Sequence, residues 1–341
     1  MRFSRPTVNR IQAIIILVIV ITAASGAYWY YLSTMAKPKI GGSLALYTSL
    51  AAPDADAVVK EFGAAYPNIK LDVFRSGSTE VVAKLLAESK TGAVRADLVW
   101  IADASAYYAM MQTGVKFMKY NSPGAKGIPA GLMDPDGNWV AAAALGVVLI
   151  YNTNLVKDKP TSWNDLAKYG NKAAMPNPFY SGAAVLVVGG LAKELGWDYF
   201  KTLKNAGVGV LQSNPNVISA VAAGEYQVGM AAHDVTVTTI RKGAPLAIAY
   251  PKEGNFLVAY ALAIAGDTKN PDAAKSFVDY FLSDNGQKFV VSRGLLPARS
   301  GIEGPPEILP MAQMNVFPLD YNWIAGHRDE IMSNFDTIML H

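Results

Sequence analysis

The stretch from Lys70 to Lys90, KLDVFRSGSTEVVAKLLAESK, decides the fold. Its first residues, Lys70–Phe74, combine β-branched and aromatic side chains and predict a strand. From Ser78 to Lys90 the apolar residues Val81, Val82, Leu85 and Leu86 recur at helical spacing, which predicts a helix with those residues inward. Only Arg75, Ser76 and Gly77 lie between. A strand that runs straight into a helix is half of a βαβ unit, and a series of such units builds a parallel sheet.

The alternation extends in both directions. Leu44–Tyr47 reads as a strand and Asp54–Tyr66 as a helix with Val58, Val59, Phe62 and Tyr66 on one face; Asp97–Ile101 and Ser105–Thr113 repeat the pair. A second series follows: strand Gly146–Tyr151, helix Ser162–Lys168 with Ser162 as N-cap, helix Ser181–Leu195, helix Asn216–Ala223, strand Gln227–Ala232, helix Val235–Lys242 and strand Leu246–Tyr250. Tyr260–Ala265 and Pro271–Ser283 form a closing strand and helix, and a proline-rich tail ends in a helix over Tyr321–Met339. The fold class is therefore α/β in two lobes, residues 39–140 with 258–300 forming one and 141–257 the other, followed by a tail over 301–341. The chain crosses between lobes near Trp139–Gly146 and Glu253–Val258. No internal repeat is visible.

The 341 residues are 51% hydrophobic and 17% charged, so disorder and coiled coil are excluded as the main architecture. No cysteine is present, which excludes disulfide scaffolds, thiolate catalysis, Cys-ligated zinc and an acylated lipoprotein anchor. The net charge of +3 is carried by Arg2, Arg5 and Arg10, and the rest of the chain is neutral. A neutral body without basic runs lacks the footprint of nucleic-acid binding. The charge-free run Ile11–Tyr31, preceded by arginines, meets the length of a membrane-spanning helix, with Tyr28–Tyr31 as an aromatic belt. Residues 1–36 are thus expected to be an N-terminal transmembrane anchor that leaves the body outside the cytoplasm. A signal peptide cleaved among the small residues Ala23–Ala27 is the alternative.

Ligands of such sheets sit outside the carboxyl ends of the strands, near helix N-termini. Collected at those ends are Thr48 and Ser49; Arg75 with Ser76, Gly77, Ser78 and Thr79; Asp103; Tyr151 and Asn152; Tyr180 with Ser181, Gly182 and Ala183; and His233 with Asp234. Ser76–Thr79 and Ser181–Ala183 place small and hydroxyl residues before a helix in each lobe, an arrangement that holds an anion on free N–H groups. Helix capping alone also favours serine and threonine there. His233 and Asp234 follow an apolar strand; they read either as a polar pair facing the cleft, with Glu253 beside them, or as a buried histidine and a helix cap. Enzyme motifs are missing. Ser181 lacks the glycines of a nucleophile elbow, Gly207-Val208-Gly209 has Gln212 where a dinucleotide fingerprint needs its third glycine, and neither a P-loop nor H-E-x-x-H occurs. No cofactor and no metal is expected.

Leu46–Leu50, Phe74–Glu80, Asp97–Asp103, Gly146–Asn154, Pro160–Leu166, Ala220–Met230 and Gly294–Arg299 together resemble the extracellular solute-binding proteins of ABC importers. The branch is the one containing ferric-ion, phosphoglycerate, aminoethylphosphonate and hexose-phosphate binders. The resemblance runs from about Gly41 to Gly301. It implies a type II periplasmic-binding fold that closes by hinge bending, a monomer partnered by a membrane permease, and no catalysis. Ferric binders carry adjacent tyrosines where this chain has His233 and Asp234. Hexose-phosphate binders are similar at that place, with a His-Asp pair and a later Glu on sugar hydroxyls and helix N-termini on the phosphate. The expected ligand is therefore a small phosphorylated organic anion. A ferric receptor, told apart by a tyrosinate colour with iron, and an enzyme on the same fold, told apart by turnover, are the alternatives.

Overall fold

The computed structural model describes residues 40–92 and 94–341, together with Thr22 and Ser25. Apart from those two residues the expected anchor Ile11–Tyr31 lies outside the described residues, among which no helix is long and apolar enough to cross a membrane. Gly41–His341 forms one compact unit.

The stretch Lys70–Lys90 folds as its pattern predicts. Strand β1 (Gly42–Thr48) leads to helix α1 (Ala52–Ala65), β2 (Ile69–Arg75) to α2 (Ser78–Lys90), and β3 (Leu98–Ile101) to α3 (Ala104–Gln112). A long strand β4 (Val140–Asn152) follows, then α4 (Asp165–Tyr169), β5 (Ala173–Pro176), α5 (Gly182–Leu195), α6 (Trp197–Ala206), β6 (Gly209–Leu211), α7 (Asn214–Ala223), β7 (Val228–Ala232), α8 (His233–Arg241) and β8 (Leu246–Ala249). The chain returns through β9 (Asn255–Ile264), α9 (Pro271–Leu282) and α10 (Asp284–Ser292), and its tail carries α11 (Tyr321–Gly326) and α12 (Arg328–Phe335).

The strands are ordered β2-β1-β3-β9-β4-β7-β5-β6. At one end β1 pairs in parallel with β2 and β3; at the other β5 pairs in parallel with β6 and β7. Two antiparallel strands join the halves. β9 pairs with β3 and with the first part of β4, and the last part of β4, Val147–Tyr151, pairs with β7. In each half the helices start where the strands end, and because β9 is antiparallel to β3, β4 to β9 and β7 to β4, the strands of the two halves run in opposite directions and their helix N-termini face each other.

Each half has its own apolar layer. Beneath the first, Trp100, Phe62, Phe277 and Phe281 are fully buried, with ring centroids 5.0 Å apart for Trp100–Phe281 and 4.8 Å for Phe62–Phe277. Beneath the second, Val148, Ile150, Val217 and Val221 form a cluster.

Four expected elements are corrected. Helix α4 begins at Asp165 rather than Ser162, because the Asp165 carboxylate accepts the N–H groups of Thr161 and Ser162 at 2.7 and 3.0 Å and holds that turn out of the helix. Helix α7 begins at Asn214, two residues early, with Ser213 as its cap. Helix α8 begins at His233 with Ala232 as N-cap, so Asp234 lies in the first turn and does not cap it. The tail helix is broken at His327, whose backbone (φ −109°, ψ 14°) is not helical.

Candidate ligand-binding site

Five of the helix N-caps line one cavity: Ala51 of α1, Gly77 of α2, Ser181 of α5, Ser213 of α7 and Ala232 of α8. Ser181 and Ser213 cap their own helices through their hydroxyls, accepting the N–H groups of Ala184 and Asn216. Ala51, Gly77 and Ala232 provide no side-chain cap. Three helices therefore open on the cavity with first-turn N–H groups that no capping side chain satisfies, and all five add the positive end of their dipoles. The cavity measures about 60 Å³. A buried water needs about 10–15 Å³, so there is room for roughly four to six water-sized groups, enough for a tetrahedral anion and little more.

Glycines let the two halves meet over it. A Cβ on Gly77 would lie 2.3 Å from the carbonyl oxygen of Tyr180, and one on Gly182 would lie 2.6 Å from the Cβ atoms of both Ser78 and Asp103. The N-termini of α2 and α5 thus approach closely because neither position carries a side chain. Thr79 Oγ1 donates to the Pro178 carbonyl at 3.0 Å, and Arg75 Nη1 donates to the Tyr180 hydroxyl at 3.3 Å, both between halves.

Of the residues singled out from the sequence, Ser49, Gly77, Ser78, Tyr180, Ser181, Gly182, Ala183 and Asp234 come together on the cavity wall. The others lie outside it. Thr48 is fully buried and donates to the Trp100 carbonyl at 2.8 Å; Ser76 turns to Glu80; Tyr151 lies along β4 and Asn152 donates to the Val221 carbonyl. Asp103 is fully buried, caps α3 and pairs with Arg328 at 2.8 Å. His233 sets Nδ1 against the backbone of Gly146, and Glu253 accepts from Ser162. The anticipated triplet of His233, Asp234 and Glu253 therefore reduces to Asp234 at the cavity.

Sequence reasoning missed Ser213, Asn214 and Tyr260, whereas Arg75, collected there at the end of β2, also lines the cavity. The signal for the first two was present: Ser213-Asn214-Pro215 is a serine cap with proline in the first turn. Among the described residues Arg75 is the cavity's only cation. Its Nε donates to the Leu50 carbonyl at 2.8 Å, which fixes the guanidinium without neutralising it.

Among the described residues Asp234 is the cavity's only acid, and its Oδ1 is buried without a hydrogen-bond partner. Burial, reinforced by Asp54, pushes its carboxyl up to about 7. Burial pulls the His233 imidazole down to about 4, so it stays neutral. An unfolded aspartate titrates near 4. Between about pH 4 and about pH 7 the folded chain keeps a proton that the unfolded chain has lost, so this group's contribution to stability falls as pH rises through that window. Asp234→Asn should therefore raise the melting temperature at pH 8 by about 3–6 °C, a gain that shrinks towards pH 4. Equal gains at both pH values in thermal unfolding would contradict the assignment.

The sequence profile of the bacterial extracellular solute-binding proteins matches residues 57–313. A Haemophilus influenzae protein described as uncharacterized is 27% identical over 270 residues, 74% of this chain and 76% of that one. Among solved structures, the periplasmic binding protein AfuA from Actinobacillus pleuropneumoniae with fructose-6-phosphate bound superimposes with a TM-score of 0.80 at 23% identity, over 88% of this chain and 99% of its own. Iron-bound HitA from Pseudomonas aeruginosa gives 0.75 at 21%, over 87% and 99%.

Proposed function

Because the chain belongs to the bacterial extracellular solute-binding proteins, we propose that, as the receptor of an ABC importer, it captures a small phosphorylated organic anion and delivers it to the permease. The observation that carries this reading is the ring of five helix N-caps around one cavity, completed by an uncompensated Arg75. Helix N-termini and a fixed guanidinium suit a phosphate group. Ser49 and Asn214 add neutral donors, and Asp234 accepts from a hydroxyl or amine beside the phosphate. A ferric ligand set would need phenolates. The phenol of Tyr260, on the cavity wall, is held far above its ordinary pKa by burial, which works against that chemistry.

In this proposal residues 39–140 with 258–300 move against 141–257 by bending at β4 and β9, the two strands that join the halves. Glucose 6-phosphate should reduce the radius of gyration in solution scattering. An unchanged radius at saturation would mean a rigid pocket.

Tethering beside the permease completes the proposal. The full-length chain should fractionate with membranes and be released by deletion of residues 1–36. A full-length chain found wholly in the soluble fraction with Met1 intact would refute the anchor.

A further inference from the structure

The inner cavity is too small for a whole sugar phosphate, and a larger space of about 580 Å³ adjoins it. Ala51, Arg75, Tyr180, Ser213, Pro215 and Val235 line both, so the two are neighbouring chambers with the Arg75–Tyr180 pair in their shared wall. The outer chamber is strongly basic. Among the described residues Arg75, Arg241, Lys242 and Arg293 line it, against one acid, Asp54.

Two of these cations are spoken for. Arg293 pairs with Asp54 at 2.5 Å, and Arg241 holds Glu307 through two hydrogen bonds of 2.7 and 2.9 Å. Arg75 and Lys242 have no carboxylate within ion-pair distance, although Lys242 stands near enough to Asp54 to oppose the upward push of burial on that carboxyl. Arg75 bonds only to neutral oxygens, and Lys242, exposed after the last turn of α8, makes no ion pair among the described residues. One unpaired cation thus stands in the shared wall and the other on the outer wall, where Asp54 is already held by Arg293.

We propose that the outer chamber is a second anion subsite, centred on Lys242, and that the preferred ligand is an organophosphate bearing another phosphate or a carboxylate at its far end. This rests on the reading of the inner cavity as the seat of the first phosphate. The helix ends take one anionic group; the carbon skeleton passes Arg75 and Tyr180; the second group meets Lys242, with Thr238 and Thr239 on the same wall. A basic residue at a helix C-terminus also offsets the helix dipole, a role that would affect all ligands alike. Selectivity between ligands separates the two.

The test is calorimetric titration of the full chain with inorganic phosphate, fructose 6-phosphate and fructose 1,6-bisphosphate. The bisphosphate should bind about tenfold or more tightly than the monophosphate. Lys242→Ala should cut that margin below about threefold, and Lys242→Glu should reverse it, while both leave inorganic phosphate unchanged. A parent that binds the two sugars equally or prefers the monophosphate, or a Lys242→Ala protein that keeps the margin, overturns the second subsite and leaves the first standing. Failure of all three ligands to bind overturns the phosphate reading and this one with it.

Discussion

Replacing Gly182 with alanine should lower the affinity for a phosphate ester by at least about 100-fold, a loss of about 2.8 kcal/mol or more at 1.4 kcal/mol per tenfold. The added methyl would lie 2.6 Å from the Cβ atoms of Ser78 and Asp103, a separation that real Cβ atoms essentially never show. Neither neighbour can yield by turning a side chain, because the clash is with atoms attached directly to the backbone. Asp103 is also held by Arg328 and by its cap on α3. The N-termini of α2 and α5 would have to move apart, and the anion would lose donors from one wall. Gly182→Glu should abolish binding outright, since it adds a negative charge where the ligand's charge belongs. Gly63→Ala is the control: it lies in α1 with nothing within 4 Å of the new Cβ. Calorimetry on the three variants checks this, and a Gly182→Ala protein that binds like the parent would mean the two helix ends do not close on the ligand.

Asp234→Ala should weaken binding of a hydroxyl- or amine-bearing phosphate ester by roughly 10- to 150-fold. That is the loss of one charge-assisted hydrogen bond worth roughly 1.5–3 kcal/mol. Inorganic phosphate should be spared, because the helix ends that hold it are intact. The same residue is a stability liability in the free protein, with a buried and unpartnered Oδ1, so binding and stability should move in opposite directions when it is replaced. Equal loss for inorganic phosphate and the ester would place Asp234 against the phosphate itself.

Much of this was legible in the chain. Helix α2 spans Ser78–Lys90 as its apolar spacing predicts, and the two small-residue loops before α2 and α5 do meet. Strand β4 was legible only at its end. Its first half, Val140–Leu145, is largely alanine, which has weak strand preference, and it becomes a strand because it is buried against β9. Helix α6 was not anticipated, although Tyr199, Phe200 and Leu203 mark its buried face. Glu253 and His233 stand away from the cavity wall for a different reason. Both stand at strand ends, but which way a side chain turns there depends on partners distant in sequence, Ser162 for one and the Gly146 backbone for the other. Arg75 became visible as the cavity's cation only once Leu50 and Tyr180 were seen to hold it.

The cavity is proposed to receive a phosphate ester and not a metal. Calorimetric titration of the purified protein with glucose 6-phosphate, beside addition of ferric citrate followed by visible absorbance, separates the two. The expected result is saturable binding of the ester with no colour on adding iron. A red or orange tyrosinate band with iron, and no heat with the ester, would contradict it.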